Sequence, residues 1–241
     1  MRSSNPVFKT IERDYSATSA EAASYGGLVA KTALLFLFAV VSGYFAITTA
    51  VAIENLFTLL IIAMVVALIS MIVATRSVRL AMPFAIIFAL AEGVLLGFIT
   101  ALAELYVPGA AVTAIIGTAA IFIVMLFLYS SRTIRVTSRY RRIMMGILFG
   151  ILVFFIVFGI LSLIGAFPQG ISYPLAIGIS IFLIVYGAFM LAMDFDRAES
   201  IVEGGADKRY EWMVAIGLMV TIVWIYIEIL RLILILASRR D

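Results

Sequence analysis

Three acidic residues of this chain sit inside, or at the end of, long apolar runs. Glu92 lies in Ala91-Glu92-Gly93-Val94-Leu95-Leu96-Gly97, Asp194 in Met193-Asp194-Phe195-Asp196, and Glu228 between Ile227 and Ile229, three residues before Arg231. The sequence has no cysteine and no histidine. Thiol nucleophiles, thiolate metal sites and Ser-His hydrolytic machinery are thereby excluded, and so is the side chain that most often titrates near neutrality. Proton chemistry falls to carboxylates, helped by Tyr, Lys or Arg. Burial and neighbouring charge set how tightly a carboxylate holds its proton, and two carboxylates sharing a site titrate as a unit. Carboxylate oxygens without His or Cys also suit a hard cation such as Ca²⁺. The chemistry these residue types offer is an acid-lined, pH-sensitive cation pathway.

Each acid also has a purely structural reading. A charge at mid-membrane costs about 2.5–3.5 kcal/mol on the translocon scale, so it needs a partner or a proton. Glu228 and Arg231 share a helical face and would neutralise one another during insertion. Glu92 would hydrogen-bond across helices as a packing device. Asp194 and Asp196 would be solvated charge at a helix end, with Arg197 close enough to pair with Asp194. The residues alone leave both readings open.

The elements that must carry these acids follow from composition. Hydrophobic residues make up 65% of 241 positions and charged residues 13%, with a mean hydropathy of +1.21. A soluble domain is roughly half apolar and a quarter charged, so the solvent for this excess is lipid. Runs long enough to span a bilayer are Lys31–Ile53, Leu56–Thr75, Ala81–Ala103, Ala111–Tyr129, Ile143–Ile164, Tyr173–Met193 and Met213–Ala237. The expected fold is all-α, with seven transmembrane helices in a domain over residues 30–241, after a polar N-terminal segment over 1–29. That segment is too polar for a signal peptide, so the first run reads as a retained helix. Glu54-Asn55 predicts a tight hairpin; Pro108-Gly109, Phe167-Pro168-Gln169-Gly170 and Gly204-Gly205 predict further turns. Tyr129, Tyr173, Tyr210 and Trp212 fall at headgroup level.

Basic residues set the expected orientation. Arg2, Lys9, Arg13 and Lys31 precede or open the first span, and Arg76 and Arg79 join the second to the third. Arg132, Arg135, Arg139, Arg141 and Arg142 join the fourth to the fifth; Arg197, Lys208 and Arg209 join the sixth to the seventh. The other side has only the terminal Arg239 and Arg240. The positive-inside rule then predicts a multi-pass protein of the cell (inner) membrane, N-terminus cytoplasmic and C-terminus outside, which requires an odd number of spans. A re-entrant last helix would instead account for the terminal arginines. The Arg132–Arg142 loop reads as a topogenic segment able to meet anionic lipid or a protein partner, with no nucleic acid expected. Gly93/Gly97 and Gly146/Gly150 have the spacing of helix-packing contacts.

At the acidic residues the chain resembles the Bax inhibitor-1 family, the transmembrane Bax inhibitor motif proteins and their bacterial YccA- and YetJ-like relatives. Glu92–Gly97 is similar to the family's Glu-Gly-x-x-Leu-Gly motif of the third helix. Asp194-Phe195 resembles its Tyr-Asp-Phe/Thr element at the end of the sixth, and Tyr226-Ile227-Glu228 its Leu-Tyr-Leu-Asp of the seventh. The resemblance implies a last helix enclosed by the other six and a pH-sensitive calcium leak. It implies a pH-sensing pair, Asp194 and Glu228, whose carboxylates would also face calcium, and an arginine latch at Arg79 or Arg76. Arg231 is the nearer basic partner of Glu228. This sequence has Glu for Asp at 228, Met for Tyr at 193, and a link from Asp194 to Glu228 longer than the family's by about three helical turns. Helices lengthened by those residues would hold the two acids at different depths. A looped-out Arg197–Tyr210 would keep them paired, and Asp196 is the alternative partner.

Two other classes fit the residues. A proton-coupled secondary transporter would use Glu92 and Glu228 as carriers, without the paired broken helices such folds show. A non-transporting interaction protein would act through the arginine-rich loop. No cofactor is expected beyond calcium as transported ion, and no enzyme activity. The lysines are only Lys9, Lys31 and Lys208, so no Schiff-base lysine lies in the last helix.

Overall fold

A computed structural model describes residues 21–50, 56–165 and 172–238. Among the described residues there are seven helices, α1 (Tyr25–Ala50), α2 (Leu56–Arg76), α3 (Ala81–Tyr106), α4 (Ala110–Ser130), α5 (Ser138–Leu163), α6 (Tyr173–Glu203) and α7 (Tyr210–Ala237). All seven are long and apolar enough to cross a membrane. Among the described residues there is no strand, only an isolated bridge between Ala22 and Asp207. The expected breaks at Glu54-Asn55 and Phe167–Gly170, the terminal Arg239 and Arg240, and the basic residues before Glu21 lie outside the described residues.

The helices overrun the apolar runs where polar residues find caps or partners. Helix α1 starts at Tyr25, so residues 25–29 belong to the bundle rather than to the polar segment. Helix α5 starts at Ser138 because the Thr137 hydroxyl accepts from the Tyr140 backbone N–H at 3.2 Å, an N-cap that makes the arginine-bearing turn helical. Helix α6 continues past Met193 to Glu203, and only residues 204–209 turn the chain into α7, with Gly205 at φ 63°. At the other end, Gly109 holds φ 84°. The Glu104 carboxylate there accepts from the N–H groups of Gly109 (2.6 Å) and Ala111 (3.0 Å), filling the open donors of the α4 N-terminus.

Packing is built from small residues where backbones approach. Ala63, Ala67, Ser70 and Ala74 form one buried stripe of α2, which meets Ala81, Ala85 and Ala89 of α3. Helix α3 also lies against α1 across Gly43, Gly93 and Gly97. A Cβ on Gly93 would fall 2.2 Å from the Ala39 carbonyl oxygen, and one on Gly97 would fall 2.8 Å from the Gly43 Cα. The Gly93/Gly97 spacing thus does what its pattern predicts. Gly146 and Gly150 do not: nothing lies within 4 Å of a Cβ at either, because α5 sits at the edge. It meets α6 through larger side chains, Met144 and Ile151 against Leu183 and Tyr186.

Helix α7 packs on α1, α2, α3, α4 and α6, and its Trp224 reaches the α5–α6 cluster. Val214, Ala215, Ile216, Leu218 and Met219 are all buried. Those positions circle the helix, so α7 is apolar all round, as a central helix must be.

Candidate functional site

The long α6 changes the setting of Asp194. It lies inside the helix, one face toward α7, where its Oδ2 accepts a hydrogen bond from the Thr221 hydroxyl at 2.5 Å. Its Oδ1 lies 3.6 Å from where a Cβ on Gly217 would stand. Gly217 and Thr221 are one turn apart on α7, the first leaving room for the carboxylate and the second donating to it. Asp194 makes no ion pair with Arg197 among the described residues, and Arg197 is exposed.

The expected pairing of Asp194 with Glu228 is not formed. In an antiparallel helix pair, residues equally distant from the turn face one another. Asp194 meets Thr221, and further along a Cβ on Gly187 would fall 2.8 Å from Ile225. Glu228 lies two turns beyond Thr221, about 10 Å along the axis. Both helices run on toward the short turn at residues 204–209, α6 to Glu203 and α7 from Tyr210, and that register separates the acids. Glu228 is buried instead with its Oε1 3.6 Å from Arg231, while its Oε2 has no hydrogen-bond partner among the described residues. Asp196, the alternative partner, points the other way and pairs with Arg141 of α5. Arg76 and Arg79 are exposed at the end of α2 and just beyond it. They form no ion pair among the described residues, so neither latches an acid here.

Glu92 is part-buried on α3 and makes no hydrogen bond or ion pair among the described residues. Its depth follows from the Thr100 and Tyr226 hydroxyls, 2.8 Å apart, which set the register of the parallel pair α3 and α7. Two turns before Thr100, Glu92 stands at about the level of Leu218. Asp194 stands at the same level, beside Gly217 and Thr221. The two acids at one depth are therefore Glu92 and Asp194, on different neighbours of α7, with Glu228 further along. Among the described residues no three acidic side chains cluster to hold a metal ion. Asp194 and Glu228 stand about two helical turns apart, each with its own partner, Thr221 and Arg231.

Charged groups concentrate at the end of the bundle that carries the arginines. There the Glu199 carboxylate takes hydrogen bonds from the Tyr129 hydroxyl and from Arg132, the latter at 2.5 Å. Its hydrogen bond pushes the Arg132 guanidinium above the ordinary arginine range. Arg132 is the only described non-glycine residue with positive φ, 58°. It occupies the left-handed position after a helix that usually falls to glycine.

A second cluster was invisible in the sequence. Glu211, fully buried at the start of α7, accepts from Lys31 Nζ at 2.6 Å and from the Ser24 N–H at 2.7 Å. Lys31 also donates to the Lys208 carbonyl at 2.8 Å and lies 5.2 Å from the centre of the Trp212 ring. A Cβ on Gly27 would fall 2.4 Å from the Glu211 carboxylate, so any larger residue there must displace it. Outside the spans, Lys208 pairs with Glu21, a hydrogen bond that holds the Glu21 carboxyl below its ordinary range and the Lys208 amine above its own. Lys31 reads in the sequence as one topogenic charge among several. Only Gly26-Gly27 ahead of it and an acid between Tyr210 and Trp212 hinted at more.

Among curated proteins no sequence match is found. A family profile described as Bax inhibitor 1 like matches residues 5–238. That span takes in all seven helices, the three membrane acids and the arginine-rich link, and the chain belongs to the Bax inhibitor 1-like family.

Proposed function

We propose that this protein is a pH-sensitive leak pathway for calcium, with Asp194 as the group whose protonation changes the packing of α6 on α7. The observation that carries this reading is the Asp194–Thr221 hydrogen bond of 2.5 Å between two long helices. The charged carboxylate accepts from Thr221; a proton or a cation at the same oxygens competes for that contact. Membership of the family supports the reading, and the basic residues support an N-terminus on the cytoplasmic side of the inner membrane. Glu228, held by its own Arg231, serves insertion of α7 in this scheme rather than sensing pH. The reaction is passive transport, with no enzymatic step.

Calcium-indicator flux into proteoliposomes across a range of pH tests it. Asp194→Asn keeps the shape and a Thr221 contact but cannot titrate, and its flux should lose its dependence on pH. Glu228→Gln should keep it. An Asp194→Asn variant that leaks with the wild-type pH profile sinks the proposal.

One observation favours a second reading. Glu92 has no hydrogen-bond or ion-pair partner among the described residues and stands level with Asp194, as two proton carriers of a coupled transporter would. Calcium uptake against its gradient, driven by an imposed pH difference and lost in Glu92→Gln, selects that reading over a leak.

A further inference from the structure

Helices α1 and α4 both pack on α7 but stand apart from one another, leaving a groove of about 1220 Å³ that opens sideways. Its floor is one face of α7, Leu218, Ile222 and Tyr226, and its walls include Phe36 and Phe122. Along α1 it runs from Tyr25 to Ile47, a helical rise of about 33 Å, comparable with the roughly 30 Å hydrocarbon core of a bilayer. Between its ends the lining is mostly apolar, which suits an acyl chain better than a hydrated ion. At the arginine-rich end the lining changes to Tyr129, Arg132 and Glu199. Tyr129 and Arg132 also line a polar recess of about 340 Å³, completed by Arg135, Val136 and Asp196.

Charge in that recess is unbalanced. Glu199 is matched by Arg132 and Asp196 by Arg141. Among the described residues Arg135, the other arginine of the recess, has no ion pair. The left-handed backbone of Arg132 keeps its guanidinium at the junction of groove and recess. An apolar slot that faces lipid and opens into a basic recess at headgroup level has the form of a phospholipid: one acyl chain below, one phosphate above.

We propose that the α1–α4 groove is a binding site for an anionic membrane phospholipid, with an acyl chain along Phe36, Phe122 and Leu126 and the phosphate at Arg132 and Arg135. The site is independent of the calcium reading, since it uses none of Glu92, Asp194 or Glu228. A basic side chain near an anionic lipid surface contributes about 1 kcal/mol, so loss of Arg135 should weaken retention of the lipid about fivefold. Arg135 is exposed, and its removal leaves the fold intact.

The test uses the full chain in detergent, titrated with phosphatidylglycerol or phosphatidylcholine and read by native mass spectrometry. A diazirine-bearing acyl chain on phosphatidylglycerol reports the place. The expected result is preferential retention of phosphatidylglycerol, weakened about fivefold in Arg135→Ala and unchanged in Arg139→Ala, which lies outside the recess. Ala119→Phe, filling the groove wall, should lower retention of the lipid, and crosslinks should fall on α1 and α4. Equal retention of the two lipids, or crosslinks spread evenly over the exposed faces of α2 and α5, overturns the proposal. So does displacement of phosphatidylglycerol by inorganic phosphate, which would assign the recess to a free anion.

Discussion

Replacing Lys31 by Met should destabilise the bundle far more than losing one surface charge. In the native structure Glu211 has no exposed surface and Lys31 little. Removal of the ammonium leaves the carboxylate with the Ser24 N–H as its main donor. Breaking one side of a buried ion pair typically costs about 3–5 kcal/mol. This pair sits at the end of the bundle, close to the turn at residues 204–209, where water is near. The lower figure applies, about 3 kcal/mol. For a chain of this length that corresponds to a fall of roughly 10 °C in melting temperature. The double variant Lys31→Met/Glu211→Met removes both charges together, and it should recover at least half of the loss. The assay is thermal unfolding in detergent, for wild type, both single variants and the double variant, at low and high salt. A shielded pair predicts a coupling that survives high salt. If the double variant is as unstable as the sum of the singles, the two charges do not depend on each other, and the account of this cluster is wrong.

Three further outcomes follow from named contacts. Gly27→Ala should mimic Lys31→Met in the same melting assay, because its methyl would displace the Glu211 carboxylate. Gly93→Ala should cost about 1–3 kcal/mol by forcing α1 off α3, whereas Gly146→Ala, with open space around it, should fall within about 0.5 kcal/mol of wild type. The Glu21–Lys208 contact should be pH-dependent with a definite sign. A carboxyl held below its ordinary range contributes stability above that range and loses it as pH falls through the folded value. An amine held above its range contributes at lower pH and loses its share as pH rises through the folded value. Hydrogen exchange at the Ala23 and Lys208 amides, which bond to Ala206 and Glu21 carbonyls, should therefore be slowest between the two ranges. Glu21→Gln should remove the acid limb; a variant that keeps the wild-type fall in protection at acid pH would refute the assignment.

The seven spans were legible because each apolar run is long enough and each turn has its own chemistry. Gly109, Gly204 and Gly205 lie where the chain reverses, and Gly93 and Gly97 lie where helices touch. The end of α6 was not legible. Asp196, Arg197, Glu199 and Glu203 look like the residues of a link, yet they extend the helix, where Arg132 of the α4–α5 link and Arg141 of the first turn of α5 meet two of them. The acidic site was half legible for the same reason. Residue type and depth marked Asp194, Glu92 and Glu228 as unusual, but which pair shares a level depends on where α6 ends. The partnership of Lys31 with Glu211 joins positions far apart in the chain, and no local pattern announces it.

That partnership also has a history in time. The first helix enters the membrane with Lys31 at its edge, and its counter-charge is 180 residues downstream. At a synthesis rate of about 5–20 residues per second, the lysine waits roughly 10–40 seconds before Glu211 exists. Later in that interval, once α3 has been made, α1 and α3 can meet across their glycines, but the bundle has no centre, because α7 is the last of these helices to arrive. Its entry does two things at once: it fills the axis and it discharges the lysine. A nascent chain truncated before α7 carries an unanswered positive charge beside an empty core, which is the state a quality-control protease or chaperone would be able to tell from the finished protein.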